Sequence, residues 1–445
     1  MSAFFFEMRE RCGVRASGAA VLILMGGLAA FGSTVGTNPP TQSLTRGRIA
    51  QLSLDQQHAW LLYLDRSQKQ RQADKKFLHA EMVRAGIHVP IEPPHDYSAR
   101  SMPLDRVEAW YGGEEARHIA DVIVSFQTPA GGWGKNLAMN KEPRHPGEAF
   151  APDNLSHFLG SGDFDTPAEP NWNYVGTIDN DATTTEIRLL AKVIAAAGNA
   201  DTSSYRAAFA RGADYLFKAQ YPNGGWPQVW PLEGGYHDAV TYNDDAMVEV
   251  MEILHDLADG KDEFSFASQR LRKRAAESFE RGLQCILASQ IVSDGKRTVW
   301  PQQDDPLTLK PVSARNFEPP AQCTSESATL LLLLMEDLPH PSREEQRSVR
   351  SAAAWFEKAE IYGQSWQRTA EGRKLVPSPG AGPIWARYVQ IGSDRPIFGD
   401  RDKSIHDDVN ELSAERRNGY RWYSGDPLRM LARFKTWEEE HPESR

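Results

Sequence analysis

The chain has 445 residues, of which 40% are hydrophobic, 10% aromatic and 25% charged; this describes a globular protein with a sizeable core and excludes wholesale disorder. Its 50 Lys and Arg are outnumbered by 60 Asp and Glu, for a net charge of -10, the wrong field for a general nucleic-acid binder that works by neutralising phosphates. A polyanionic partner must therefore meet a local basic site or a bridging cation.

At the N-terminus, Arg9, Arg11 and Arg15 precede an apolar run from Ala19 to Phe31 and then a polar Gly/Ser/Thr/Pro stretch. That is the layout of an export signal, and the run is shorter than the roughly 18 apolar residues of a membrane span. We expect residues 1–32 to be a signal peptide cleaved near Gly32 and Ser33, leaving a secreted or periplasmic protein with no membrane association. Residues 33–100 read as an N-terminal extension, helical from about Leu52 to Ala85, then Pro-rich (HVPIEPPHDYS) as a linker to the main domain, 101–445.

Inside the main domain a pattern recurs. An amphipathic stretch ends in Gln and a Gly-Gly-Trp turn follows: VSFQTPAGGWGKN at 124–136 and KAQYPNGGWPQVW at 218–230. A degenerate third copy, ILASQIVSDGKRTVWPQQ at 286–303, keeps Gln290 and the Trp-Pro-Gln of the second. Each turn leads to a second helical stretch, starting near Asp179, Tyr242 and Thr324, with apolar residues at helical spacing such as Met247, Val250, Met251 and Leu254. Period-two alternation is scarce. Repeated helical hairpins predict an all-α dominated fold, an (α/α) toroid or barrel whose long irregular loops form a groove. The first repeat carries a longer loop, from Trp133 to Asp179, than the second, from Trp226 to Asn243. Cys285 and Cys323 form no Cys-x-x-Cys pair, so no zinc knuckle is indicated; export makes a bridge between them possible. Beyond about residue 360 the segment PSPGAGPIWARYVQIGSDRPIFGDRD, 377–402, is irregular, basic and too long for a passive connector.

Three constellations carry chemistry. Asp179-Asn180-Asp181 and Asn243-Asp244-Asp245 sit at corresponding repeat positions, where a loop becomes a helix. Either they cap those helices and compensate the dipole, or equivalent loops meet at the mouth of a ring and their oxygens converge on a hard cation, Ca2+ before zinc. Lys135, Arg315, Arg387 and Arg401 are either solvated ion-pair partners or the cationic walls of a pocket for a carboxylated ligand. Trp133, Trp226, Trp230, Trp300, Trp385 and Tyr388 are either core and turn packing or platforms for sugar rings. The chain has no Gly-x-Ser-x-Gly elbow, P-loop, dinucleotide fingerprint or His-Glu-x-x-His.

The blocks GGWGKN, TIDNDATT, YPNGGWPQ, TYNDDAM, DPLTLKPVSARNFEP and PSPGAGPIWARYVQIGSDRPIFGDRD, followed by RRNGYRWY, closely resemble the family 10 pectate lyases, from about Ser101 to Tyr423. The resemblance implies an (α/α)-toroid-like fold and a polysaccharide lyase that cleaves α-1,4-linked polygalacturonate by calcium-assisted β-elimination to 4,5-unsaturated oligogalacturonides. It implies calcium ligands at Asp179, Asn180 and Asp244, with Asp245 as their neighbour. Arg315 becomes the base, and Lys135, Arg387 and Arg401 bind substrate carboxylates; of the aromatic constellation, Trp133 and Tyr388 are the residues we expect beside the sugars. A single chain is expected to suffice, without nucleic acid. Because guanidinium normally stays protonated, this role for Arg315 needs Lys135, Arg387, Arg401 and the metal to push its pKa down by like-charge repulsion. Two other readings share these features: a non-catalytic binder of acidic oligosaccharides, and a terpenoid cyclase or prenyltransferase built on the same toroid. The presence of every proposed catalytic residue argues against the first, and the arginine-rich block and export signal argue against the second.

Overall fold

Amphipathic helices alternate with long loops in this computed structural model, which describes residues 34–94, 102–151, 162–166, 169 and 172–442. The expected signal peptide, 1–32, lies outside the described residues. Among the described residues nine helices carry the architecture: α1 (Leu54–Ala85), α2 (Glu114–Phe126), α3 (Thr184–Ala196), α4 (Ser203–Ala219), α5 (Ala246–Asp259), α6 (Gln269–Ser289), α7 (Thr324–Glu336), α8 (Arg343–Lys358) and α9 (Pro427–Glu440). No described helix is long and apolar enough to cross a membrane.

From α2 onward each helix packs on a chain neighbour, most extensively α3 on α4 and α5 on α6, with α2 on α3, α7 on α8 and α8 on α9. The second helices α3, α5 and α7 touch in succession, α9 packs on α7, and α2, α4 and α6 form a second row. Burial explains which row is inside. In α5 the apolar positions read at helical spacing are all covered, and in α7 Leu330, Leu331, Leu333 and Leu334 are buried, so this helix is enclosed on most sides.

The repeated sequence motif becomes a repeated stitch. Gln127 donates its amide to the carbonyls of Gly131 in its own turn and Ala208 in α4, at 2.7 and 2.9 Å. Gln220 does the same to Gly224 and to Ser278 in α6, at 2.9 and 2.8 Å, and Gln290 to Thr298 and to Ser348 in α8, at 2.8 and 3.0 Å. Each turn is thereby tied to the first helix of the next hairpin. The indole N–H of Trp133, Trp226 and Trp300 returns to a carbonyl in the last turn of the preceding helix, Ile123, Leu216 and Ile286 respectively, at 2.6 to 2.8 Å. Trp385 makes the same bond, to Phe356 of α8 at 2.8 Å. It marks a fourth copy that the sequence pattern conceals, because neither the Gln nor the Gly-Gly survives there.

The glycines follow from this closeness. At Gly224, φ is 97° and a Cβ would lie 1.9 Å from the Arg281 carbonyl oxygen of α6; at Gly131, φ is 109° and the Arg211 carbonyl oxygen of α4 would be at 2.5 Å. Two-residue strands then link the copies. Gly176–Thr177 pairs with Val229–Trp230, Val240–Thr241 with Gln303–Asp304, and Gln322–Cys323 with Tyr388–Val389. The strand that enters one inner helix thus pairs with the strand that leaves the next tryptophan turn.

The N-terminal stretch belongs to the same unit, Ser33–Arg445. In α1, Trp60, Tyr63 and Leu64 join the main core, and the Tyr63 hydroxyl donates to the Ala219 carbonyl at 2.8 Å. Ahead of α1, Thr34–Thr37 pairs antiparallel with Ser404–His406. Cys285 and Cys323 are both buried free thiols, so the permitted bridge is not formed. A hairpin of Gln364–Thr369 with Gly372–Pro377 stands just ahead of the segment 377–402 that the sequence marks as irregular.

Truncating a stitch should cost stability without changing the fold. Gln220→Ala leaves the buried carbonyls of Gly224 and Ser278 without their donor, and we expect a loss of about 3 kcal/mol in unfolding free energy, read by denaturant titration; a loss below about 1 kcal/mol would mean that the stitch contributes little.

Candidate active site

The two acidic turns enter the inner helices without capping them. Thr183 before α3 and Asp245 before α5 make no side-chain cap bond, so the capping explanation does not account for the acids. Asn180, Asp181, Asp244 and Asp245 all have positive φ, between 49° and 62°. Asn and Asp accept this left-handed backbone more readily than most residues, and the consequence is convergence. Asn243 donates its amide to Asp179 Oδ1 at 3.3 Å and to Asp244 Oδ2 at 3.0 Å. Gln302 of the third repeat fixes Asn243 from behind by donating to its Oδ1 at 2.5 Å. Carboxylates from two hairpins therefore meet at one amide.

Lys135 makes an ion pair with Asp179 Oδ2. Burial works against the Asp179 charge, but the Lys135 ammonium outweighs it and holds the carboxyl below its usual range. His237, on the same side, is pushed down to about 3 by burial and by Lys135, and is neutral at ordinary pH. Asp244 is exposed to a cavity; the protein packed around its carboxyl and the charge of Asp179 push it up to about 6. Asp245 is also pushed up to about 6, by burial and then by Glu326 and Asp244, against the Thr329 hydroxyl it accepts.

Glu326 is a residue that the sequence reading passed over. It lies in the first turn of α7, as Glu186 and Glu249 lie in the first turns of α3 and α5, and that shared position was the available signal. It binds Arg387 in a buried ion pair and accepts from the Cys323 thiol at 2.6 Å. Burial disfavours the Arg387 charge, but Glu326 holds its pKa well above the ordinary value.

Arg315 is gripped by Glu318, which accepts from its Nε at 2.8 Å and from its terminal nitrogen at 2.5 Å. The Tyr420 hydroxyl donates to the same carboxylate at 2.8 Å. Burial favours a neutral Arg315, yet Glu318 overrides it and raises the guanidinium pKa well above the usual value, while Glu318 itself falls to about 2. This corrects the expectation that neighbouring cations depress Arg315: its first neighbour is a carboxylate. The cations are nonetheless close. Arg315 and Arg401 each place a guanidinium carbon 4.9 Å from the centre of the Phe317 ring, and Arg416 does so at 4.2 Å. Arg416, also not foreseen, pairs with Glu415, as does Arg401.

The N-terminal segment holds this loop in place. The Asn38 amide nitrogen lies 3.0 to 3.2 Å from the carbonyl oxygens of Arg315, Asn316 and Glu318, and Asn316 donates to the Arg401 carbonyl at 2.8 Å. Nothing in the composition of residues 34–41 announces this role.

The aromatic expectations need correction. Trp133 is fully buried, its ring 3.0 Å from where a Cβ on Gly212 of α4 would lie, and no face remains for a sugar. Tyr388 is also fully buried. Its hydroxyl donates to Gln302 and shares a 2.7 Å bond with Tyr420, so it braces the site from beneath.

Among the described residues, no group of three or more His, Cys, Asp or Glu is gathered as a ready metal cage. A cavity of about 780 Å³ opens from Asp244 and Arg387 towards Trp366 and Arg373 on the Gln364–Pro377 hairpin. The site thus offers two converging carboxylates, an ammonium and several guanidinium groups beside a polar cleft, an arrangement suited to a polyanionic ligand.

Residues 127–431 match the pectic acid lyase family. The chain is similar to the solved structure of the family 10 polysaccharide lyase from Cellvibrio cellulosa, at 30% identity and a TM-score of 0.61, over 76% of this chain and 98% of that one. It is equally similar to an aspartate-to-alanine mutant from Cellvibrio cellulosa in complex with trigalacturonic acid, at 29% identity and a TM-score of 0.61, over 77% of this chain and 100% of that one. No curated protein matches.

The raised carboxyls predict a pH effect with a definite sign. Asp244 and Asp245, at about 6 in the fold, bind protons there before they do in the unfolded chain, so these two groups add stability to the metal-free protein as pH falls from 7 to 5, while the depressed His237 acts in the opposite sense. Denaturant midpoints of wild type and Asp244→Asn measured across that range isolate the contribution of Asp244: the variant should lose part of the stability that wild type gains towards pH 5, and parallel slopes for the two proteins contradict the assignment.

Proposed function

The chain belongs to the pectic acid lyase family and is a polysaccharide lyase, a pectate lyase of family 10; on that premise we propose that it cleaves polygalacturonate by calcium-assisted β-elimination and releases 4,5-unsaturated oligogalacturonides. The observation that carries this reading is the meeting of Asp179 and Asp244 at the Asn243 amide, within electrostatic reach of Arg387 and Arg315, whose charges favour ionised Asp244.

The donor set fits calcium. It is made of oxygens, it comes from two hairpins, and the crowding that lifts Asp244 and Asp245 is what a divalent cation relieves. Asp179, Asn180 and Asp244 would hold the ion, with Asp245 beside them. When bound, calcium neutralises the carboxylate next to C5 and stabilises the charge that develops as the C5 proton leaves. Arg387 and Arg401 offer forked donors to uronate carboxylates, and Lys135, resting on Asp179, supplies a further cation at the same spot.

Arg315 is the base in this reading, and Glu318 sets its terms. The bidentate pair keeps the guanidinium protonated; accepting the C5 proton requires that Arg315 first give up its own. Alkaline solution favours that step, and so does the like charge of Arg401 and Arg416 around Phe317. The rows α3–α5–α7 and α2–α4–α6 support reading the fold as an (α/α) toroid or barrel. The Arg-rich start and apolar run of residues 1–32 support export, and one chain holding every named group supports action as a monomer.

Incubation with polygalacturonate at alkaline pH should yield a calcium-dependent rise in near-ultraviolet absorbance that a chelator abolishes. Equal rates with calcium and with chelator would overturn the calcium role; affinity without product would make the protein a binder. A separate expectation concerns the base. Glu318→Gln removes the carboxylate that raises the Arg315 pKa, so the alkaline rise in kcat should move down by about one to three pH units, whereas an unmoved profile would transfer the base role to another group.

A further inference from the structure

The Gln364–Pro377 hairpin carries cationic and aromatic groups that the chemistry above leaves without a use. Its register places Arg373 directly opposite Arg368 and Leu375 opposite Trp366, so these four side chains share one face. Leu375 and Trp366 pack on the core cluster around Tyr423, which anchors the face. Two like charges directly opposite on a two-stranded ribbon are destabilising, and among the described residues neither Arg368 nor Arg373 makes an ion pair that would relieve it.

Arg373 and Trp366 line the same 780 Å³ cavity as Asp244 and Arg387. Three N–H groups of its lining, Arg373 Nε, Trp366 Nε1 and Arg387 Nε, are shielded from water and find no acceptor in the protein. Buried donors are normally satisfied, and three orphans around one cavity describe a place for an acceptor-rich ligand. The charged lining is Arg373, Arg387 and Arg421 against Asp244 alone. Arg387 is already paired with Glu326 and Arg421 with Asp426, so Arg373 is the lining cation with no carboxylate of its own among the described residues.

We propose that the Trp366–Arg373 face of this hairpin is a distal subsite that binds the carboxylate and ring hydroxyls of an additional uronic-acid unit, extending the groove beyond Arg387. The inference rests on the pectate lyase reading and adds a chain-length preference to it: oligomers long enough to reach the hairpin gain a charge-assisted bond to Arg373, and short ones do not. Methyl esterification of the distal unit removes the gain.

The test compares trigalacturonate with hexagalacturonate on wild type, Arg373→Ala and Arg373→Lys. In Arg373→Ala the KM for the hexamer should rise about tenfold, or about 1.4 kcal/mol, with kcat and the trimer constants little changed, and Arg373→Lys should recover part of the loss. Equal effects on trimer and hexamer, or no effect on either, overturn the subsite. Calorimetric titration with hexagalacturonate separates this inference from the enzymatic one: if wild type binds the hexamer more tightly than Arg373→Ala does but releases no unsaturated product, the subsite stands and the elimination reading falls.

Discussion

The architecture depends on one interaction made four times. A buried tryptophan donates its indole N–H to a carbonyl in the last turn of the helix it follows. Helix C-termini leave carbonyls without partners, and satisfying one from a large side chain locks the turn at a fixed angle. In three of the four copies a glutamine then reaches across to the next hairpin. The stitch sets where each inner helix begins, and the inner-helix N-termini are where the acids lie. Spacing between hairpins is thereby converted into spacing between carboxylates.

The electrostatics of the site divide in two. On one side, Asp179, Asp244, Asp245 and Glu326 crowd together, relieved in part by Lys135 and Arg387. On the other, Arg315, Arg401 and Arg416 gather around Phe317 and are held by Glu318 and Glu415. Almost every cation has a carboxylate partner, which keeps the guanidinium groups charged and oriented. A uronate ligand must compete with these internal partners, so affinity arises as a difference between two sets of charge-assisted bonds.

The residues proposed to carry the chemistry stood out in the sequence because they lie in dense polar blocks, several at repeated positions, and of these Asp244 and Arg387 line the cleft. Their partners were not. Glu318 stands three residues from Arg315 and reads as an ordinary surface pair until burial shows otherwise. Asn38 reaches the Arg315 loop from 277 residues away. Trp133 and Tyr388 were misread in the opposite sense, since an aromatic beside a functional motif looks the same in sequence whether it faces a sugar or fills the core.

The sequence by itself determined the helical hairpins, their number short of one, and the acidic and basic residue types of the site, because periodicity, turn chemistry and charge are local properties written in adjacent residues. Only the tertiary structure decided which carboxylate meets which cation, which aromatic rings are enclosed and where the cleft runs. Those outcomes depend on distances between segments remote along the chain, and no local pattern encodes them.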